Sequence, residues 1–333
     1  MNSDLEMFHS RRRRRSLRAI AFALMTMTSI AFTTESTGAQ DPDDFSTIAR
    51  RFEQLVQAGE LRSDDAERLA QRLLVLAEQQ SRPDDRTIAT ALYVVARRYE
   101  SFDCCDKAEE LYRRSLAIRE TTLGPDHLDV AASLSRLAWL YRHMKRYAEA
   151  EPLYKRCLEI YEKAGDDPKI FATLGSLAGL YRFWGRYAEV EPLLKKQLEI
   201  DERAGPASAQ VALSLRTLAQ FYTMQNRCAD AEPVFEREIK IMEEQSGPDD
   251  LNLGHQLTQL AECYRGRGRY GEAEKLYKRT LTIYEAYGSE GTAALIVKAL
   301  GNLATFYESQ GRAADAVPLR KRIDAIKLST KSP

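Results

Sequence analysis

The sequence predicts an all-α fold, a solenoid of antiparallel helix pairs, and two observations lead to this prediction. First, one pattern returns along the chain, for example as "LSRLAWLYRHMKRYAEAEPLYKRCLEIYEKAG" (134–165) and "LTQLAECYRGRGRYGEAEKLYKRTLTIYEAYG" (257–288). Second, the tyrosine that ends each "LAxxY" motif (once "VARRY") recurs after 40 to 43 residues, a period typical of solenoid arrays. The six tyrosines are Tyr99, Tyr141, Tyr181, Tyr222, Tyr264 and Tyr307.

Each repeat contains two amphipathic helices. In the first helix, apolar residues at i, i+3, i+4 and i+7 form one stripe; in one repeat these are Leu134, Leu137, Ala138 and Tyr141. The second helix has the same spacing, and its stripe comprises Ala150, Leu153, Tyr154, Cys157, Leu158 and Tyr161. One pair of helices does not bury both stripes, so the repeats are expected to stack on their neighbours.

Two columns of small residues set how closely the helices pack. The residue three before each repeat tyrosine is always alanine, and a larger side chain there would push the partner helix away; the column is Ala96, Ala138, Ala178, Ala219, Ala261 and Ala304. The second column lies early in the second helix and contains one valine; its members are Ala108, Ala150, Val190, Ala231, Ala273 and Ala316.

The turn between the two helices of a repeat calls for a left-handed residue that closes the first helix. Gly185, Gly268 and Gly311 suit this position, and Asn226 is acceptable. Asp103 and Lys145 replace them elsewhere, and Lys145 fits least well. Between repeats, "GPDHLD", "GDDP", "GPAS" and "GPDD" combine a helix stop with Pro and Asp residues that can open the next helix.

These motifs resemble a tetratricopeptide repeat array, specifically the long-repeat variety of the kinesin light chain family, whose "LAxLYxxxGRYxEAExLYxRxLxIxE" pattern is nearly repeated here. The resemblance covers residues 87–327 as six repeats of about 42 residues, followed by a tail at 328–333. A degenerate capping repeat is predicted at 40–86, which makes seven helix pairs without β-sheet. The resemblance implies a right-handed superhelix whose first helices line a concave groove.

The N-terminal 39 residues have the composition of a secretory signal peptide. A basic segment, "RRRRRSLR", precedes a short apolar segment, "AIAFALMTMTSIAF", and a small-residue site ending at Ala39. The apolar segment is shorter than the roughly 20 residues that span a bilayer. The sequence therefore predicts cleavage and export to the periplasm or outside the cell. An uncleaved membrane anchor and a cytoplasmic basic tail stay open as alternatives.

The charge balance argues against a nucleic-acid partner. The chain has 49 basic and 49 acidic residues, and removal of residues 1–39 leaves 43 basic and 46 acidic ones. A nucleic-acid-binding protein normally has a marked basic excess or stripe. The many Glu and Lys residues of the helices, as in "EAEKLYKR" (272–279), are interpreted as solvated faces with i,i+4 pairing.

No residue set has the spacing of a catalytic, cofactor or metal site. His127, His143 and His255 occupy three different repeat positions without a companion nucleophile or ligand. The sequence has no CxxC or HExxH motif and no phosphate-binding glycine loop. The protein is therefore predicted not to be an enzyme and to need no cofactor.

The five cysteines are too few and too irregular for a disulfide framework. Cys157 and Cys263 take positions held elsewhere by small or apolar residues and are predicted to be buried, reduced thiols. Cys104 and Cys105 are adjacent in a turn. A bridge from one of them to a distant cysteine is left open.

The pattern favours a protein–protein interaction scaffold that holds a peptide or helix of a partner in the groove. Two alternatives remain: an architectural spacer of an envelope assembly, and a regulatory subunit of an enzyme. The resemblance locates the groove at outward positions of the first helices, where Arg and aromatic side chains favour an acidic partner with an apolar anchor. The predicted binding residues are Arg136, Trp139, Arg142, His143, Arg182, Phe183, Arg216 and Arg265.

Two observations qualify this prediction. Trp139 and Phe183 could instead pack against neighbouring repeats. Kinesin light chains carry asparagines ahead of the "LA" pair that hold the peptide backbone, but only Asn302 occupies such a position here. Backbone clamping in the manner of that family is therefore not expected, and no cargo is carried over.

Overall fold

The structure is a computed structural model and describes residues 45–58, 60, 63–79, 86–101, 104–287 and 292–329. The chain divides into two units, Met1–Ile48 and Ala49–Pro333. Of the first unit only residues 45–48 are described, and they begin helix α1. The predicted signal peptide at 1–39 and the end of the predicted tail lie outside the described residues.

The described residues form fourteen α-helices and one 3₁₀ turn, with no strand among them. The helices are α1 (Phe45–Gln57), α2 (Asp64–Gln79), α3 (Arg86–Ser101), α4 (Cys105–Leu123), α5 (Leu128–His143), α6 (Tyr147–Ala164), α7 (Asp167–Trp184), α8 (Val190–Ala204, preceded by the 3₁₀ turn Tyr187–Glu189), α9 (Ala209–Met224), α10 (Cys228–Ser246), α11 (Leu253–Gly266), α12 (Tyr270–Tyr287), α13 (Ala293–Ser309) and α14 (Ala313–Ser329).

Taken in chain order as pairs, these helices are repeats 1 to 7, so that repeat 4 is α7 and α8 and repeat 5 is α9 and α10. From α2 onward, each helix packs against the next one along the chain. The predicted all-α solenoid is confirmed. Helices α1 and α2 occupy the stretch in which the degenerate repeat is predicted.

The core consists of the residues that the periodicity selects. All members of the two small-residue columns are buried, with side chains at most 3% exposed. They belong with the repeat tyrosines Tyr141, Tyr181, Tyr222, Tyr264 and Tyr307 to one apolar cluster that continues from repeat to repeat. Close packing of the helices thus depends on residues without a long side chain.

The turns inside the repeats adopt the predicted left-handed conformation. The φ angles are 80° at Gly185, 75° at Gly268 and 71° at Gly311, and the non-glycine residues Asn226 and Lys145 have φ of 57° and 60°. The N–H of the residue that follows returns to the carbonyl of the repeat tyrosine, for example from Arg186 to Tyr181 at 2.9 Å. This bond satisfies an end carbonyl of the first helix.

A tyrosine–glutamate–arginine ladder joins consecutive repeats. The repeat tyrosine donates a hydrogen bond to a glutamate on the second helix of the preceding repeat, in the pairs Tyr141–Glu109 (2.9 Å), Tyr181–Glu151 (2.8 Å), Tyr222–Glu191 (2.9 Å) and Tyr307–Glu274 (2.9 Å). The arginine five residues after each tyrosine lies over the tyrosine ring and pairs with the same glutamate, as Arg146, Arg186, Arg227 and Arg312 do.

The interpretation of these glutamates as solvated residues is only partly right. Glu274 does pair with Lys278 four residues later, at 2.7 Å. Its side chain is nevertheless only 20% exposed, because Tyr307 and Arg312 of the next repeat cover it. The main role of the glutamate column is contact between repeats.

Candidate partner-binding groove

Helices α7 and α9, the first helices of repeats 4 and 5, border a cavity of about 360 Å³. Helix α8 contributes the floor through Leu194 and Gln197. The side chain of Gln197 is held by a 2.8 Å hydrogen bond that it donates to the carbonyl of Phe171. We call this cavity with its rim the α7–α9 groove; its rim residues used below are Gly175, Gly179, Arg182, Leu213 and Met224.

Two glycines open the α7–α9 groove. Gly175 and Gly179 lie four residues apart and therefore on one face of α7. The equivalent positions hold Ser135 and Trp139 in repeat 3. A Cβ atom at Gly175 would lie 3.0 Å from Gln197 Nε2, and one at Gly179 would lie 3.2 Å from Arg142 Nη1. Any larger side chain at these positions would have to displace Gln197 or Arg142.

Two arginines of equal repeat position lie near these glycines: Arg182 lines the cavity, and Arg142 of the preceding repeat lies beside Gly179. The guanidinium carbon of Arg142 lies 5.8 Å from the ring centroid of Phe183 in the next repeat. Arg182 Nη2 lies 3.9 Å from Met224 Sδ, again in the next repeat. Neither arginine forms an ion pair with a carboxylate of the described part of the chain. Both positive charges are therefore available to a ligand.

Apolar side chains near these two arginines are unusually exposed. Phe183 is 70% exposed, Met224 62% and Leu213 48%. An apolar patch with a charged edge is typical of a protein interaction surface.

Trp139 and Phe183 have different environments. The Trp139 ring lies against the ring of the exposed His143 one turn later, with centroids 3.7 Å apart and the ring planes tilted by 47°. It is half-buried and packs against the apolar cluster of the solenoid. Phe183 instead projects outward beside Arg142. Trp139 is therefore partly engaged in packing within the solenoid, as the alternative interpretation expects. Phe183 is mostly exposed, and that alternative does not apply to it.

The other predicted arginines have carboxylate partners within the protein and do not line the cavity. Arg136 Nη1 lies 3.9 Å from Glu100, and Arg265 Nη2 lies 2.6 Å from Glu262. Arg216 Nε donates a 2.7 Å hydrogen bond to the fully buried Glu238. The structure therefore brings together Arg142, Arg182 and Phe183, with Trp139 and His143 adjacent, and leaves Arg136, Arg216 and Arg265 in separate internal pairs.

Burial raises the pKa of the Glu238 carboxyl, while the Arg216 guanidinium acts to lower it. If a partner drew the Arg216 guanidinium away from Glu238, this buried carboxylate would lose its main counter-charge. Such a change is costly, so Arg216 belongs to the internal structure more than to the groove surface.

Sequence reasoning missed Gly175, Gln197 and Leu213 as groove residues. The spacing of Gly175 and Gly179 on one helix face is a signal that could have indicated an opening. Gln197 and Leu194 had no such signal, because periodicity does not reveal which residues of the second helix become accessible when the first helix lacks side chains.

Histidine and acidic side chains do not assemble into a chemical centre in the described ranges. His127 is the N-cap of α5, and its Nδ1 accepts a 3.1 Å hydrogen bond from the N–H of Asp129. No group of three or more His, Cys, Asp or Glu residues among those described is placed to hold a metal ion. None of the described helices is long and apolar enough to cross a bilayer.

Stacked helix pairs, buried alanine columns and an open groove between first helices define a helical-repeat protein. The model of the tetratricopeptide repeat family matches residues 101–163, 140–203, 169–244 and 208–286, together more than half of the sequence. The chain belongs to the tetratricopeptide repeat family. No curated protein matches the sequence.

Three solved structures show the same fold at low sequence identity. Kinesin light chain repeats from Podospora anserina are 21% identical with a TM-score of 0.50, covering 62% of this chain and 99% of theirs. The C-terminal part of a repeat protein from Cytophaga hutchinsonii is 13% identical with a TM-score of 0.59, covering 85% and 96%. The apo form of RapI is 14% identical with a TM-score of 0.56, covering 84% and 87%.

Proposed function

We propose that this protein is a non-catalytic interaction scaffold whose α7–α9 groove holds a partner segment with Asp or Glu beside an apolar side chain. One observation carries the proposal: Arg142 and Arg182 lack carboxylate partners in the described chain, Arg142 lies beside the exposed Phe183, and Arg182 lies beside the exposed Met224 and lines a cavity of about 360 Å³. The cavity suits the apolar side chain, and the two guanidinium groups suit the carboxylates.

The expected binding energy is concentrated in few contacts. An exposed arginine–carboxylate contact is worth under about 1 kcal/mol. Contacts that also cover Phe183 and Met224 are partly desolvated, and such clusters reach about 2 kcal/mol or more. Because the charged contacts are screened by ions, affinity should fall as the salt concentration rises.

The test begins with affinity capture of partners by residues 40–333, followed by a binding titration of the captured partner. The Arg142→Glu/Arg182→Glu variant should bind weakly and lose most of the salt dependence. The matched control is Arg203→Glu/Lys240→Glu, which makes the same charge change at exposed residues that do not line the α7–α9 groove. Equal binding by wild type and both variants would refute the groove proposal and favour the architectural spacer.

We further propose that the protein is exported after cleavage behind Ala39. The support is the order of basic, apolar and small residues in residues 1–39. Mass spectrometry of the N-terminus of the native protein tests this, and Gln40 is the expected first residue. An intact Met1 in the membrane fraction would favour the anchor alternative.

A further inference from the structure

Cys228 and Cys263 lie on opposite sides of the contact between repeats 5 and 6. Cys228 is the first residue of α10, and Cys263 is in α11. Cys263 is completely buried, whereas Cys228 is half-buried and packs against the same apolar cluster. An oxidant in solution therefore reaches Cys228 before Cys263.

The repeat geometry brings these two positions together. At the next contact along the chain, the equivalent residues are Tyr270, which begins α12, and Phe306 in α13. Their rings touch with centroids 6.4 Å apart. At the contact between repeats 5 and 6 these two positions hold Cys228 and Cys263, whose thiols are within hydrogen-bonding reach of each other.

The environment of the two thiols is unequal. Burial, and then the adjacent Cys228 thiol, raises the pKa of the Cys263 thiol to about 12. Cys263 is therefore a neutral thiol at physiological pH. Because the thiolate is the reactive form, the buried partner reacts slowly on its own.

The same boundary is where the ladder between repeats departs from its pattern. Tyr264 donates its hydrogen bond to Glu236, at 2.6 Å, and not to Glu232. Glu232 pairs with Arg267 and Arg269, and its Oε1 atom is buried without a hydrogen-bond partner in the structure. An additional link across this boundary would compensate for the altered ladder.

We propose that Cys228 and Cys263 are a redox-responsive pair that closes to a disulfide and links repeat 5 to repeat 6. The oxidant is itself a disulfide, of low molecular weight or carried by a protein. The Cys228 thiolate attacks that disulfide, forms a mixed disulfide and releases one thiolate. Cys263 then loses its proton to solvent, attacks the Cys228 sulfur and releases the second thiolate. Two protein thiols are oxidised, and one disulfide is reduced to two thiols.

The experiment exposes the reduced full chain to oxidised glutathione at mildly alkaline pH, followed by peptide mapping without reduction. A linked pair of peptides containing Cys228 and Cys263, with the loss of two hydrogen atoms, supports the proposal. Cys263→Ala should stop at a stable glutathione adduct on Cys228, and Cys228→Ser should show neither product. Cys157→Ala, which removes a buried cysteine of repeat 3, is the control and should still form the link.

Two further readouts separate this pair from incidental oxidation. The oxidised wild type should unfold at a higher temperature than the reduced protein, and Cys228→Ser should show no such difference. Closure of the mixed disulfide should accelerate about tenfold per pH unit below the pKa of Cys263, because the attacking thiolate fraction rises at that rate. A wild-type protein that stops at the Cys228 adduct, or that links Cys228 to Cys104 or Cys105, would overturn the proposal.

Discussion

Tyr181 donates a 2.8 Å hydrogen bond from its hydroxyl to Glu151, thirty residues earlier and in the preceding repeat. Arg186 completes the contact, with its guanidinium carbon 4.7 Å from the Tyr181 ring centroid and Nη1 2.7 Å from the second carboxylate oxygen. Burial acts to raise the pKa of Glu151, but hydrogen bonds from Lys155, Tyr181 and Arg186 lower it overall. The most regular polar residues of the repeat motif thus hold consecutive repeats together.

Tyr181→Phe removes this hydrogen bond and little else. Because the acceptor is a charged and mostly covered carboxylate, we expect the free energy of unfolding to fall by about 1 to 3 kcal/mol. Urea denaturation measures the change. The control is Tyr187→Phe, whose ring is 42% exposed and whose loss should stay within about 0.5 kcal/mol. If both substitutions changed the free energy of unfolding equally, the ladder hydrogen bond would not contribute to stability.

Acid should weaken the ladder through its carboxylates. Hydrogen bonds from Lys195 and Arg227 lower the pKa of Glu191 from 4.5 to about 2. Since the folded-state pKa is lowered, this stabilisation is present above about 4.5 and is lost as pH falls towards about 2. The difference in free energy of unfolding between wild type and Glu191→Gln should therefore narrow across that range. A difference that stays constant with pH would show that Glu191 stabilises by other means.

The sequence predicted the features that depend on one helix or one turn. The alanine columns follow from helical periodicity, and the left-handed turns follow from Gly185, Gly268 and Gly311. The ladder was missed because i,i+4 reasoning pairs Glu274 with Lys278 and does not reach Tyr307 in the next repeat. The periodicity within one helix does not predict which side chains about 30 residues apart in the sequence come into contact.

The sequence indicates the repeat position that the groove arginines share, but it does not show which of these arginines lack a carboxylate partner. Arg142 and Arg265 hold the same repeat position, yet only Arg265 has a glutamate, Glu262, three residues earlier that binds it. In repeats 3 and 4 that place is taken by Trp139 and Gly179. Whether a groove arginine keeps its charge free for a ligand therefore depends on the residue three positions before it. Only the three-dimensional structure shows this dependence.

In repeats 2 and 7 a different residue takes one of the ladder positions. Val317 occupies the glutamate position in repeat 7 and is 50% exposed. Cys104 occupies the arginine position of repeat 2. The residues that join repeats are thus replaced at the first and last full repeats.

Lys145 is a site at which the protein can be made more stable. Its φ of 60° is left-handed, which costs a residue with a Cβ about 1 to 2 kcal/mol. Lys145→Gly should remove most of this cost, and after the greater chain entropy of glycine we expect a net gain of roughly 0.5 to 1 kcal/mol. Thermal unfolding measures it. The reciprocal change, Gly268→Ala at φ 75°, should destabilise; the same sign for both would contradict this account.

Ala138→Leu tests the first small-residue column. Ala138 is fully buried between packed helices, so the added side chain must displace its neighbours and should cost about 1 to 3 kcal/mol. Chemical denaturation gives the value. Ala148→Leu, at an exposed position on α6, is the matched control and should change stability by less than about 0.5 kcal/mol. An unchanged midpoint for Ala138→Leu would mean that the column does not set the helix spacing.

Gly179→Ala should separate stability from binding. Glycine in a helix interior costs about 1 kcal/mol relative to alanine, so the variant should be more stable, provided that the flexible end of Arg142 yields to a Cβ 3.2 Å away. The same methyl group narrows the α7–α9 groove and shifts Arg142, so affinity for the captured partner should fall. Gly301→Ala is the control, because a Cβ there meets no atom within 4 Å beyond its chain neighbours and the backbone of its own helix. It should gain stability without a change in affinity. Calorimetric titration and urea denaturation of both variants measure the two quantities, and a Gly179→Ala protein that binds as tightly as wild type would place the partner outside this groove.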